Sequence, residues 1–175
     1  MAFQLFNTRI EFHHGSGLEP KGDGLILPAN DHLWMGTGPA RIVKEAAGQE
    51  IEQEAVREGP ASLGDVVVTS AGRLPFRHVL HAVVMEQDLH VREEGATASL
   101  KAALQRASKL GLSEVNYVLP RETGDKPLRP EILAKLVATL FEVLEETPKI
   151  QKLRVIAADE GSRRVLHDAF LQRLH

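Results

Sequence analysis

The 175-residue chain contains no cysteine, so it has no disulfide framework and no cysteinyl metal site. It has no excess of either charge: the formal net charge is -3, which argues against a strongly basic nucleic-acid binder. No apolar run approaches the ~18 residues that suggest a membrane span. Residues 1–13 mix polar and apolar side chains, with no basic cluster ahead of an apolar stretch, and do not read as a signal peptide. There is no internal repeat, no low-complexity tract and no linker long enough to divide the chain. Several chemical signatures are also missing. The sequence has no G-x-x-x-x-G-K-S/T loop, no complete G-x-G-x-x-G after a strand, no G-x-S-x-G elbow and no H-E-x-x-H. These absences lead us to expect a soluble cytoplasmic protein without a bound cofactor or metal.

What remains is an ordinary globular composition, 43% hydrophobic and 26% charged. The length suits one domain, taken here as residues 1–175, burying roughly 70% of its unfolded surface. Strand and helix signals alternate. Strand-like stretches fall at residues 3–12, 23–27 (ending at Pro28), 65–69, 77–84, 114–119 and 153–157. Helical periodicity covers 39–56, where Val43, Ala47, Ile51 and Ala55 recur four apart, and also 96–110, 130–146 and 162–174. Gly111 suits a helix stop and Pro130 a helix start. This alternation predicts an α/β fold with a largely parallel or mixed sheet covered on both faces. In such sheets ligands sit at the carboxyl ends of strands, so the polar connection 120–130 is a candidate site.

The most informative local chemistry is Gly36-Thr37-Gly38-Pro39, which opens the helix at 39–56. Glycines let a backbone approach a ligand closely, and a helix amino terminus offers N–H groups to a phosphate. On spacing alone the segment also reads as a plain glycine turn. Asn30 likewise reads either as a ligand-binding amide or as a turn residue bonding its own backbone. Trp34, the only tryptophan, either shields a ligand or packs on the surface. Eight histidines raise a metal question, but His13 and His14 are adjacent and face opposite ways on a strand, and no ligand spacing is present.

Longer blocks carry a resemblance. G-S-G-L-E-P-K-G-D-G-L-I-L-P-A-N followed by D-H-L-W-M-G-T-G-P-A-R-I-V-K-E-A-A-G, over residues 15–48, resembles the first ligand-binding block of macrodomains, with Asp23, Ala29, Asn30, Gly36, Gly38 and Ala46-Ala47-Gly48 in register. L-G-D-V-V-V-T-S-A-G-R-L-P-F-R-H-V-L-H-A-V, over 63–83, is similar to the family's T-G-E-A-V-I-T-S-G-G-R-L-P-A-K-Y-V-I-H-T-V. Y-V-L-P-R-E-T-G-D (117–125) and V-I-A-A-D-E (155–160) resemble two shorter family segments.

The resemblance implies a three-layer α/β/α fold, with a mixed, mostly parallel sheet of about six strands, and a cleft for ADP-ribose, free or attached to protein. Asn30 matches the family asparagine at the distal ribose. Gly36, Thr37, Gly38, Pro39 and Ala40 match the first diphosphate loop, and Thr123, Gly124, Asp125 and Lys126 the second. Ser16 stands where the family has the adenine-reading aspartate, with Gly17 beside it. Asp159 belongs to the last block. Arg163 falls where many members place an aromatic ring against adenine, and reads either as a stacking group or as a helix-surface arginine. The family's usual hydrolytic asparagine and aspartate correspond to Leu27 and Ala40, which can activate no water. The resemblance therefore implies a monomeric binding module for ADP-ribose and ADP-ribosylated proteins, with no catalytic residue assigned and no DNA partner. The alternative is an ADP-ribosyl hydrolase or O-acetyl-ADP-ribose deacetylase that uses Glu122 or Asp125 of the closing loop.

Overall fold

The structure, a computed structural model, describes residues 2–122, 124 and 126–175. Seven strands form one sheet: β1 (Ala2–Leu5), β2 (Thr8–His14), β3 (Gly24–Asn30), β4 (Val66–Thr69), β5 (His78–Met85), β6 (Glu114–Val118) and β7 (Lys152–Ala157). Their order is β1-β2-β7-β6-β3-β5-β4. The central pairings, β2–β7, β7–β6, β6–β3 and β3–β5, are parallel; the outer pairs β1–β2 and β4–β5 are antiparallel. Helices α1 (Gly38–Ala47) and α2 (Glu50–Arg57) cover one face, and α3 (Glu93–Lys109), α4 (Pro130–Val143) and α5 (Glu160–Leu174) the other. This is the expected three-layer mixed α/β architecture.

Strand alternation divides the core. In β3, Leu25 and Leu27 face the α1 side with Val43, Ala47 and Ile51, while Ile26 points the opposite way into the larger cluster with Leu80, Leu100, Leu104 and Leu136. Both faces of the central strands are therefore apolar, as a doubly covered parallel sheet requires. Among the described residues, no helix is long and apolar enough to cross a membrane.

Three boundaries differ from the sequence reading. Residues 3–12 form a hairpin rather than one strand: the chain reverses at Phe6, with φ 55°, which raises the strand count from about six to seven. The strand beginning at residue 24 runs through Pro28 to Asn30. Proline is tolerated there because pairing with β6 has ended at Ile26, leaving that side of β3 without a ladder partner while β5 continues alongside. The helix at 39–56 is two helices, broken at Gly48 (φ 112°). Its apolar spacing survives because α2 restarts in phase, and Val43, Ala47, Ile51 and Ala55 are all buried.

Candidate functional site

The connection after β3 runs through α1 and α2 towards β4 and β5, whereas the chain after β5 crosses back through α3 to β6 on the other side of β3. The chain thus leaves neighbouring strand ends in opposite directions and opens a crevice at their carboxyl ends. A cleft of about 360 Å³ occupies this position, lined by Pro28, Ala29 and Asn30 of β3, Trp34, the start of α1 from Thr37 to Ala40, Met85 of β5, Leu89, and Arg121, Glu122 and Gly124.

The α1 end of the cleft favours an anion. Thr37 caps the helix without a side-chain hydrogen bond, and the first turn of α1 holds no acid, whereas α2, α3, α4 and α5 each have at least one. The unpaired N–H groups of the first turn and the positive end of the helix dipole are therefore not offset by a carboxylate. Gly38 has φ +60°, a left-handed conformation that brings the backbone round to the cleft and lets the right-handed helix begin at Pro39.

Asn30 lines the cleft and also organises the turn beside it. Its Oδ1 accepts from the backbone N–H of His32 (3.0 Å) and of Trp34 (3.3 Å), and its Nδ2 donates to the Trp34 carbonyl (2.9 Å). One amide N–H remains beyond these bonds. Trp34 is 53% exposed, and its ring lies 4.9 Å from that of His32. Gln87 donates to Asp31 at 2.6 Å behind this pair. Burial opposes ionisation of Asp31, but the bonds from Gln87 and His32 outweigh it and hold the carboxyl below its ordinary range.

Across the cleft, Glu122 has a side chain only 11% exposed, with Oε2 accepting from Val91 N–H at 3.3 Å and lying 3.2 Å from His90 Nδ1. Arg129 Nε approaches Oε1 at 3.3 Å without hydrogen-bonding geometry, and Oε1 has no hydrogen-bond partner among the described residues. Arg129 is fixed by its own bond to the Val91 carbonyl at 2.6 Å.

Ser16 lies outside the main cleft. It lines a small adjoining depression of about 20 Å³ with Pro39, Ile42, Val118, Arg121 and Ala157. Its Oγ accepts from Leu18 N–H at 3.2 Å and keeps a hydroxyl proton to donate. Gly17, at φ +92°, packs against the end of β6; a Cβ there would meet Val118 Cγ2 at 2.5 Å. Lys126 and Asp159 line a third depression, of about 420 Å³, between the 119–128 segment and the start of α5. Asp159 caps α5 by accepting from Ser162 N–H at 2.7 Å, a bond that holds its carboxyl below the ordinary range.

Arg163 lies on the first turn of α5, gripped by both oxygens of Glu160 at 2.6 and 2.8 Å; that pairing lowers the Glu160 carboxyl to about 2. Gly36 is exposed at the turn before Thr37. The structure thus brings Asn30, Thr37, Gly38, Pro39, Ala40 and Gly124 to one cleft. Ser16 lies next to it, Lys126 and Asp159 line the separate groove beside α5, and Arg163 stands on the first turn of α5 paired with Glu160. Thr123 and Asp125 fall outside the described residues. Leu27 is fully buried in the α1-side core, while Ala40 faces the cleft.

The sequence reading passed over Arg121, which lines all three depressions. Its position three residues beyond the end of β6 was the available signal. No group of three or more His, Asp or Glu among the described residues is arranged to hold a metal.

The family model for the macro domain matches residues 26–120. An uncharacterized protein of Aquifex aeolicus is 34% identical over 153 residues, spanning 86% of this chain and 91% of its own length. An uncharacterized protein of Pyrobaculum aerophilum is 32% identical over 180 residues, spanning 99% and 97%. Among solved structures, the Oceanobacillus iheyensis macrodomain with ADP superimposes with a TM-score of 0.82 at 22% identity, covering 99% of this chain and 95% of that one. The Trypanosoma brucei macrodomain in complex with ADP-ribose gives 0.77 at 18% identity, covering 95% and 69%. These structural likenesses speak to the fold.

Proposed function

Because this chain belongs to the macrodomain family, we propose that residues 1–175 act as one ADP-ribose-binding domain that reads the nucleotide without efficient turnover. The observation that carries this reading is the single cleft shared by the acid-free start of α1, the Asn30 turn and Arg121, Glu122 and Gly124. Structural neighbours that hold ADP and ADP-ribose support it. The diphosphate lies against the backbone N–H groups of Thr37, Gly38 and Ala40. The remaining Asn30 amide proton and the face of Trp34 receive the distal ribose. The adenosine end passes Pro39 towards Ser16 and Gly17, with Arg163 at its margin once freed from Glu160. The family resemblance assigns Thr123, Gly124, Asp125 and Lys126 to the second diphosphate loop, and Asp159 orders the start of α5. Free ADP-ribose and ADP-ribosylated proteins are the partners, and the protein works as a cytoplasmic monomer without DNA.

The absence of turnover follows from Leu27 and Ala40. An alkyl side chain stands at each position where the family resemblance implies a group that handles water, and loss of one general acid or base costs roughly 10²–10⁴ in rate. One observation favours the hydrolase alternative: Glu122 lines the cleft, with His90 Nδ1 3.2 Å from its Oε2. Calorimetric titration with ADP-ribose, followed by a release assay on mono-ADP-ribosylated protein, separates the readings. Saturable binding with no released ADP-ribose is expected. Rapid release that Glu122→Gln abolishes, with binding retained, assigns the hydrolase instead. Absence of saturable binding refutes both.

A further inference from the structure

Three depressions surround one side chain. The Asn30 cleft and the small Ser16 depression share Pro39 and Arg121; the groove beside α5 shares Leu119, Arg121 and Ala158 with the Ser16 depression. Arg121 lines all three. A ligand that occupies the Asn30 cleft and also reaches Ser16 passes Pro39, on the first turn of α1, and Arg121, the two residues that both depressions share. Each side of the passage carries positive charge, with the carboxylates of Glu122 and Asp159 on the Arg121 side. The α1 side contributes a helix start with no acid in its first turn, and the opposite side a guanidinium that is charged at all physiological pH. Asp159 feels the Arg121 charge, which helps to hold its carboxyl below the usual range after the larger effect of Ser162.

We infer that Arg121 is a specificity-determining ligand contact that pairs with the diphosphate of the bound nucleotide at the passage between the two subsites. This rests on the ADP-ribose reading above and adds a side-chain charge to a site otherwise described by backbone amides. A planar guanidinium suits the role because it offers paired N–H donors to two phosphate oxygens at once, where an ammonium offers a single point charge. The contact makes the cleft select for two linked phosphates: a ligand with no phosphate gains nothing from Arg121.

Titration of wild type, Arg121→Ala, Arg121→Gln and Arg121→Lys with ADP-ribose, ADP and adenosine tests this, with thermal melting to establish that each variant is folded. Arg121→Ala and Arg121→Gln are expected to weaken ADP-ribose and ADP by about tenfold or more while leaving adenosine unchanged. Arg121→Lys should recover part of the loss. Wild-type affinity for ADP should fall with added salt more steeply than that of Arg121→Ala, because the missing charge is the one being screened. A purely structural role would weaken adenosine in parallel and leave the salt dependence alone. Folded Arg121→Ala and Arg121→Gln that bind ADP-ribose as wild type does would overturn the inference while leaving the ADP-ribose reading intact. Wild-type protein that takes up no ADP-ribose removes that reading and this inference with it.

Discussion

Asn116 and Gly17 are 99 residues apart in the chain and joined directly: the buried Asn116 amide donates to the Gly17 carbonyl at 3.0 Å. The same amide donates to the Pro20 carbonyl at 2.7 Å, and its Oδ1 accepts from Arg154 Nη1 at 3.2 Å. Arg154 Nη1 in turn reaches the Lys21 carbonyl at 3.0 Å. Two buried polar side chains on neighbouring strands therefore hold the 17–21 loop that follows Ser16.

Asn116→Ala is expected to destabilise the protein by about 2–3 kcal/mol, because it leaves the Gly17 and Pro20 carbonyls and the buried Arg154 guanidinium short of a partner. Urea unfolding measures the loss. The variant should also bind ADP-ribose more weakly through a looser Ser16 loop, with the deficit concentrated on adenosine rather than on phosphate. Unfolding midpoints that match wild type would show that water replaces the amide without penalty.

Asn30 serves the turn and the cleft together, and the two roles can be separated. Asn30→Ala removes both acceptor bonds to His32 and Trp34 and the donor bond to Trp34. A stability cost of about 1–2 kcal/mol is expected, together with a shift in the emission of Trp34, the sole tryptophan. Because Trp34 lines the cleft, ADP-ribose should change its emission in the wild type. Asn30→Ala should weaken that titration by about tenfold or more. Altered emission with unchanged affinity would restrict Asn30 to the turn.

Strand and helix order was legible because periodicity and punctuation agreed for most elements, as at Gly111, which closes α3 with φ +73°, and Pro130, which opens α4. The misreadings have local causes. Pro28 signals a strand end only where both edges are paired, and sequence cannot show that the pairing of β3 with β6 stops at Ile26. The residue 3–12 stretch hides its reversal because Phe6, rather than glycine, takes the positive φ. At the site, the glycines and Asn30 that line the cleft stand in contiguous motifs. Arg121 stands in none, and the three depressions it lines meet only in space. The Asn116–Arg154 pair is hidden for the same reason: its partners are carbonyls of a loop far away in sequence.

His81 illustrates a titratable group used for packing, and its pH signature follows from burial. It is 1% exposed in β5, and its Nε2 lies 2.9 Å from Thr69 Oγ1. The Thr69 hydroxyl donates to the Ser70 carbonyl, so its oxygen is left to accept from the imidazole N–H. Burial drives the His81 pKa from 6.5 down to about 4, against a smaller opposing pull from Glu54. The unfolded chain takes up this proton near 6.5 and the folded chain only near 4. Between those values the unfolded state binds more protons, so stability rises with pH there; the contribution is complete above 6.5 and lost as pH falls towards 4. A shift of this size corresponds to about 3 kcal/mol at most. Glu11, lowered to about 2 chiefly by its bond to His13, adds a separate loss at more acid pH, once the pH falls below 4.5. His81→Gln keeps an N–H for Thr69 but cannot titrate. Urea unfolding from neutral pH to about pH 5 should show wild-type stability falling and the variant nearly flat. Equal slopes in the two proteins would mean that His81 is protonated as readily inside the sheet as outside it.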